Sequence, residues 1–191
     1  MKNLAIFASG SGTNAENIIK YFSNKTIAGV KLVLSNKSDS FVLERAARLG
    51  IPSMFFDRND FYHSKKVIEH LRNYRIDFIV LAGFLWLVPD NILKEYRGRI
   101  VNIHPALLPS YGGKGMYGDN VHKAVIANGD KESGISIHYV NESYDEGDII
   151  FQAKCRIDDN DNYETLAKKV HALEYKYFPV VIEDLLATPG D

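Results

Sequence analysis

The sequence lacks the features that mark several common classes of protein. It has one cysteine, Cys155, in 191 residues, which excludes an intramolecular disulfide and leaves no CxxC or Cys/His metal spacing. Its formal net charge of -1 gives no field that attracts polyanions, so nucleic-acid binding is not expected. The N-terminal segment MKNLAIFASG has only five consecutive apolar residues, too few for a signal peptide or a membrane span. We therefore expect a cytoplasmic protein without membrane contact.

What is present is a regular alternation of apolar runs of strand length with segments of helical period. This alternation predicts an α/β fold: one domain over 1–191 with a Rossmann-like, mostly parallel sheet of about seven strands flanked by helices. The expected strands are LAIFA, VKLVL, SMFF, DFIVLAGF, IVNI, GISIHYV and DIIFQAKCRI. Helices are expected over NAENIIKYF, FVLERAARL, residues 59–74, a short piece after Pro89, and 163–186. The longest irregular segment is 104–119, a length that is usually functional.

A glycine loop, SGSGTNAEN (9–17), lies where the first strand turns into the first helix. Its glycines bring backbone N–H groups close to a ligand, and the helix N-terminus favours an anion there. The loop satisfies GxGxx[GA], but Leu-Ser-Asn at 34–36 stands where a dinucleotide fold places an acid. Thr13 and Asn14 suit a phosphate monoester better; a nicotinamide dinucleotide site and a purely structural turn remain as alternatives.

A polar pair, Asn102 and His104, lies in the apolar strand IVNIH. Side chains two positions apart share one face of a strand, and Pro105 ends the ladder, so the pair lies at the strand's carboxyl end, where α/β sheets bind ligands. An amide donor beside an imidazole suits acyl transfer, because one group stabilises an oxyanion and the other moves a proton near neutral pH. The alternative is a core histidine next to a turn-capping asparagine.

No nucleophile accompanies the pair, since Cys155 lies elsewhere and no GxSxG segment exists. Such a site joins two bound substrates directly. In the turn NESYDEGD, Asp145 precedes a glycine at the sheet's end, where its carboxylate would reach His104 and hold the imidazole pKa above ~6.5. The alternative for Asp145 is a solvated turn acid.

The segments SGSGTN, VLAGF, NIHPALLP, NGD, SIHYV and DEGDII, in this order, closely resemble the phosphoribosylglycinamide formyltransferases. The resemblance implies formyl transfer from 10-formyltetrahydrofolate to the amine of 5-phosphoribosylglycinamide, a step of de novo purine (IMP) biosynthesis, on the formyltransferase fold. It places residues in four roles: Asn102, His104 and Asp145 in catalysis; Gly12, Thr13 and Asn14 on the substrate phosphate; Glu174 on the glycinamide and ribose; and Leu85, Trp86, Leu87 and Val88 on the folate.

Within the chain, the sequence departs from this family's pattern in one loop and at one residue of the folate segment. The loop SYGGKGMYGDNVH is glycine-rich and slightly longer than in many relatives, and Trp86 stands where a basic residue is common. GGKG (112–115) is not a P-loop, because Leu108 occupies its first glycine position; we expect a flap over the site, with Lys114 able to reach a phosphate or a folate glutamate.

Several alternative functions have to be weighed against this resemblance. Methionyl-tRNA formyltransferase has a basic surface that does not fit this charge, whereas a formyltetrahydrofolate deformylase remains the enzyme alternative. An NADP-dependent reductase or a nucleotide-binding module rests on the glycine loop alone. We expect small-molecule substrates, no metal, and a monomer or homodimer. The remaining histidines are expected at the surface or in packing, with His171 near the sugar site: His63, His70, His122, His138 and His171.

Overall fold

The computed structural model describes residues 1–187. Its strands are β1 Lys2–Phe7, β2 Ala28–Ser35, β3 Ser53–Phe55, β4 Phe78–Leu81, β5 Ile100–His104, β6 Glu132–Tyr139 and β7 Ile149–Arg156. Its helices are α1 Thr13–Phe22, α2 Phe41–Arg48, α3 Arg58–Tyr62, α4 Lys66–Asn73, α5 Asp90–Glu95, α6 Asp119–Asn128 and α7 Tyr163–Ala187.

The seven strands form one sheet in the order β3-β2-β1-β4-β5-β6-β7. The first five run parallel, and β6 and β7 pair antiparallel at one side. The chain winds outward from β1 to β3 and then returns to place β4 on the other side of β1. The carboxyl ends of β1 and β4 therefore flank a switch point, the position where open α/β sheets bind ligands. The expected mostly parallel, seven-stranded sheet is confirmed.

Each face of the sheet buries its own layer of helices. Along β1, Leu4 and Ile6 point into a core formed with α1, α2, α6 and α7, whereas Ala5 and Phe7 point into a second core with α3, α4 and α5. All four side chains are buried, which explains why the strand reads as a continuous apolar run rather than an alternating one. Burial on both faces, at ~1.5–3 kcal/mol per large apolar side chain, holds β1 and its carboxyl-terminal loop in place.

Two helical predictions differ from the structure. The segment 59–74 is two helices, because Ser64 Oγ donates to Asp60 O (3.0 Å) and accepts from the Lys66 N–H (3.1 Å), and such local side-chain bonds compete with a continuous helix. Helix α6 was not predicted. It begins after Gly118 and ends at Gly129, whose φ of 71° gives a left-handed C-terminal cap.

Candidate active site

A cavity of about 580 Å³ opens at the carboxyl edge of the sheet, beside the switch point. Its wall is formed by segments that are far apart in the chain, including those at the carboxyl ends of β1, β4 and β5. The lining consists of residues 9–14 after β1, 82–85 after β4, 102–105 at the end of β5, 114–119 before α6, and the side chains of Lys37, His122, Tyr144, Asp145, His171 and Glu174.

Asn102, His104 and Asp145 meet at the floor of this cavity. The two β5 residues share a face, as their spacing predicts, and Asp145 reaches both from the β6–β7 connection. His104 Nδ1 lies 3.5 Å from Asp145 Oδ2, and Asn102 Nδ2 lies 3.4 Å from Asp145 Oδ1. The prediction that Asp145 lies beside the histidine is confirmed, and its reading as a solvated turn acid is wrong.

The expectation that His104 titrates above its usual range is wrong. His104 is only 3% exposed, and this burial, the largest effect, lowers its pKa; the Asp145 charge and the hydrogen bond to Tyr111 O raise it but do not compensate. Burial disfavours the imidazolium because the charged ring loses its hydration. His104 is therefore neutral at neutral pH in the absence of substrate.

The loop 105–118 is bonded to both ionisable members of the trio, His104 and Asp145. His104 Nε2 lies 2.7 Å from the Tyr111 carbonyl oxygen, and the Gly113 N–H donates to Asp145 Oδ2 at 3.0 Å. Tyr111 itself is held through its hydroxyl, which donates to Asp130 at 2.6 Å. Burial alone would raise the Asp145 pKa, but the nearby His138 and His104 and the hydrogen bond from the Gly113 N–H lower it overall, so Asp145 is ionised.

The glycine loop forms the opposite wall. Gly12 is the N-terminal cap of α1 with φ 72°, a conformation that suits glycine. A Cβ added at Gly12 would lie 2.5 Å from Val42 of α2, whereas one at Gly10 would meet nothing within 4 Å. Close packing of α2, together with the positive φ, therefore requires glycine at position 12.

Glu174 joins this wall from α7. It is only 4% exposed, and its Oε2 accepts from Asn14 Nδ2 (2.9 Å) and pairs with His171 Nδ1 (2.8 Å). That hydrogen bond, the largest effect on His171, raises the histidine pKa. Thr13 and Asn14 line the cavity as well, so the structure brings all four residues predicted for the phosphate and sugar end into one place.

The segment 85–88 divides between the cavity and the protein interior. Leu85 lines the cavity, and its N–H donates to Ser9 Oγ at 3.0 Å. Trp86 packs under Arg58, whose guanidinium carbon lies 4.8 Å from the ring centroid. The Leu87 carbonyl accepts from the Tyr62 hydroxyl (2.9 Å), and Val88 is buried in the core with α3–α5. Of the four residues predicted to contact folate, the structure brings Leu85 alone to the cavity wall.

Two site histidines were missed because they were expected at the surface or in packing. His138 is paired with Asn102 across β5 and β6; its Nε2 lies 3.0 Å from Asn102 Nδ2 and 3.5 Å from Asp145 Oδ1.

His122, on the unpredicted helix α6, is 1% exposed and lines the cavity. Its Nδ1 is buried without a partner among residues 1–187, and burial, followed by His171, lowers its pKa. The strand period does place His138 on the face that points to Asn102, but no sequence signal reports the burial of either ring.

Residues 1–187 contain neither a metal-binding cluster nor a membrane-spanning helix. No group of three or more His, Cys, Asp or Glu residues in that range is arranged to hold a metal ion. Within the same range, no helix is long and apolar enough to cross a membrane.

An amide, an imidazole, a carboxylate and a glycine loop at a helix start line one cavity at a sheet switch point. This arrangement defines an α/β enzyme of the acyl-group transfer class. The formyl transferase family profile matches residues 2–182, and the chain belongs to that family, among relatives named phosphoribosylglycinamide formyltransferase.

Individual comparisons agree with this assignment. The chain is 38% identical over 191 residues to phosphoribosylglycinamide formyltransferase of Bacillus subtilis (strain 168), covering 97% of this chain and 95% of the relative. It is 42% identical over 187 residues to the chloroplastic enzyme of Arabidopsis thaliana, which covers 95% of this chain, but the chain spans only 64% of that relative's length. The crystal structure of the Bacillus halodurans phosphoribosylglycinamide formyltransferase superposes with a TM-score of 0.88 at 39% identity, covering 99% and 97% of the two chains. These relatives support formyl transfer over the deformylase, reductase and nucleotide-module alternatives.

Proposed function

We propose that this protein transfers a formyl group from 10-formyltetrahydrofolate to the amine of 5-phosphoribosylglycinamide, a step of purine biosynthesis. One observation carries the proposal: the glycine loop, Glu174 and the Asn–His–Asp trio all line the same cavity of about 580 Å³. That volume lies within the ~300–1,000 Å³ usual for small-molecule sites. A phosphorylated amine held at one wall would thus present its nucleophile to groups suited to acyl transfer.

The phosphate and sugar of the amine substrate are assigned to the wall made by Gly12, Thr13, Asn14 and Glu174. Backbone N–H groups at the start of a helix favour a phosphate. Both protein contacts of Glu174 fall on Oε2, which leaves Oε1 for a ligand amine or hydroxyl. Because the carboxylate is fixed by two donors before substrate arrives, little ordering is needed on binding.

The exchangeable proton of His104 is assigned to Nδ1. The Tyr111 carbonyl can only accept, so Nε2 carries a proton in either charge state, and Nδ1 beside Asp145 is the position that gains or loses one. The formyl donor supplies an activated acyl carbon and a leaving nitrogen. His104 takes the proton that the attacking amine loses, the ionised Asp145 stabilises the imidazolium that forms, and His104 then returns the proton to the leaving nitrogen.

Asn102 is assigned to the oxyanion that develops on the formyl oxygen. One of its two amide hydrogens points to His138 at 3.0 Å; the other has only the long 3.4 Å contact with Asp145. That second hydrogen is the one available to a ligand. A donor fixed in a buried site stabilises developing charge without reorganising.

The folate donor is assigned to the wall that continues from the glycine loop through 82–85. Leu85 would contact the ring directly. Trp86, Leu87 and Val88 would support that wall from behind, since their contacts are with α3 and the core beneath it.

The deciding experiment mixes the protein with 10-formyltetrahydrofolate, with and without 5-phosphoribosylglycinamide, and follows the tetrahydrofolate produced. We expect turnover that requires the amine and yields one formylated amine for each folate released. Equal folate release without the amine would mean that the enzyme is a hydrolase, and no release in either mixture would remove folate as the donor. Binding of NADPH, followed by its fluorescence, serves as the control for the reductase alternative.

A further inference from the structure

The geometry points to Arg45 of α2 as a positioning residue that orients the backbone N–H groups of the glycine loop for the phosphate of the amine substrate. This inference rests on the proposed function and adds a residue to it. Arg45 does not line the main cavity. It lies behind the loop, beside a smaller recess of about 210 Å³ that it shares with Thr13, Glu16 and Asn17.

Two successive carbonyl groups of the loop are held by α2. The Val42 N–H donates to Gly10 O at 3.2 Å, and Arg45 Nε donates to Ser11 O at 2.8 Å. Both carbonyls therefore point towards α2. Val42 also packs against Gly12 so closely that no Cβ fits there, which fixes how deeply the loop rests on the helix.

The planar peptide bond links the direction of these carbonyl groups to the direction of the loop N–H groups. In a trans peptide the C=O of one residue and the N–H of the next point in opposite directions. Holding Gly10 O and Ser11 O towards α2 therefore turns the N–H groups of Ser11 and Gly12 away from α2. Residues 10–12 line the main cavity, so these N–H groups are the donors that a phosphate at the start of α1 would meet. The backbone N–H of Val42 is available whatever its side chain, but the bond to Ser11 O depends on Arg45.

Glu16 of α1 holds the guanidinium in place. Arg45 Nη1 pairs with Glu16 Oε2, and Glu16 Oε1 pairs with Lys20 at 2.5 Å. One planar guanidinium thus bridges the Ser11 carbonyl and the Glu16 carboxylate through different nitrogens, which a lysine ammonium cannot do with the same fixed geometry. The positive charge of Arg45 is also paired rather than free, so its effect on a phosphate is predicted to come from positioning.

The test compares Arg45→Lys and Arg45→Gln with Arg48→Gln, a matched control that removes the same charge from an exposed position of the same helix. Calorimetry gives Kd for 5-phosphoribosylglycinamide and for its dephosphorylated analogue, and kinetics give kcat and both KM values. We expect both Arg45 variants to bind the phosphorylated compound about tenfold more weakly, because a loop that is no longer held must be ordered when the phosphate binds. Affinity for the dephosphorylated analogue, KM for the formyl donor and kcat at saturation should stay within about twofold of wild type.

Glu16→Gln separates positioning from charge. Removing a negative charge near the loop would tighten phosphate binding if charge alone mattered, whereas loss of the carboxylate that fixes Arg45 should weaken it. Tighter binding in Glu16→Gln, or equal losses for the phosphorylated and dephosphorylated compounds in Arg45→Lys, would overturn the inference. A wild-type protein that does not prefer the phosphorylated compound would instead refute the phosphate assignment in the proposed function. Melting temperatures of all variants identify any loss of folding.

Discussion

Replacing Asp145 with asparagine separates the two opposing effects that set the protonation of His104. Burial lowers the His104 pKa, and the Asp145 charge raises it. Asparagine is nearly isosteric and still accepts a hydrogen bond from the Gly113 N–H through its side-chain oxygen, but it carries no charge. Burial then acts with less opposition, so the His104 pKa should fall further below its ordinary value of ~6.5.

The size of the lost interaction can be worked out from the contact distance. His104 Nδ1 and Asp145 Oδ2 are 3.5 Å apart, at which two unit charges interact by about 5 kcal/mol for an effective dielectric constant of ~20. The carboxylate charge is shared with Oδ1, which faces His138 at 3.5 Å, so the part that acts on His104 is smaller than this full-charge figure. The expected direction is a further fall of the His104 pKa.

The assay is an NMR titration of His104 in both proteins, together with kcat/KM against pH. As the pKa falls, the acidic limb of the profile should move to lower pH by the same amount. The plateau should drop ~10²-fold or more, because the imidazolium formed during transfer is no longer stabilised. Asp130→Asn is the matched control, since Asp130 also anchors the 105–118 loop, through Tyr111, but is not part of the trio. An unchanged His104 titration in Asp145→Asn, or an equal shift in the control, would refute the reasoning.

Three further outcomes are expected. Asn102→Ala should lower kcat by ~10²–10³ with its melting temperature retained, and near-normal turnover would remove this residue from the mechanism. Gly10→Ala should fold normally but raise KM for the phosphorylated amine, whereas Gly12→Ala should lower the melting temperature because its Cβ meets α2 at 2.5 Å; the reverse order of melting temperatures would contradict the packing. His104 and His122 have lowered pKa values in the folded state, whereas the His171 pKa is raised and acts in the opposite direction. In a His171→Gln background the unfolded chain should therefore bind more protons below pH ~6.5, and the free energy of unfolding in urea should decrease as pH falls from 7 to 5; a flat profile in that window would contradict the burial of these rings.

The sheet was predictable because each strand carries its own signal. A strand buried on both faces, such as β1 or β4, is a short apolar run that stands out between polar turns. Helix α6 has no comparable signal: among its ten residues the buried ones are Val121, Val125 and the polar His122, and the glycine-rich segment before it reads as loop. Its position depends on packing against α7 and on the cavity, which are properties of the assembled fold.

The site was predictable wherever a local rule decided the direction of a side chain. Period-two alternation places Asn102 and His104 on one face, and a helix start after glycines identifies the loop that lines the same cavity. The segment 85–88 shows where such rules end. The N–H of Leu85 is bonded to Ser9, a partner 76 positions away, and Trp86 then turns to pack under Arg58. No local sequence pattern signals either contact. The position of these four residues in one segment therefore did not show which of their side chains reach the cavity.

The protonation state of His104 was predicted wrongly from the sequence, because two opposing effects set its pKa. A carboxylate in a turn can be recognised from sequence, and its effect on a nearby imidazole has a known sign. The competing effect is burial, which depends on how β6, the 105–118 loop and α6 close over the ring, and burial is the larger effect here. The consequence is mechanistic: an imidazole that is neutral at rest can accept the proton of the attacking amine, whereas one held charged could not. In the mechanism that we propose, the depth of the site, as much as the identity of its residues, therefore sets the direction in which His104 moves its proton.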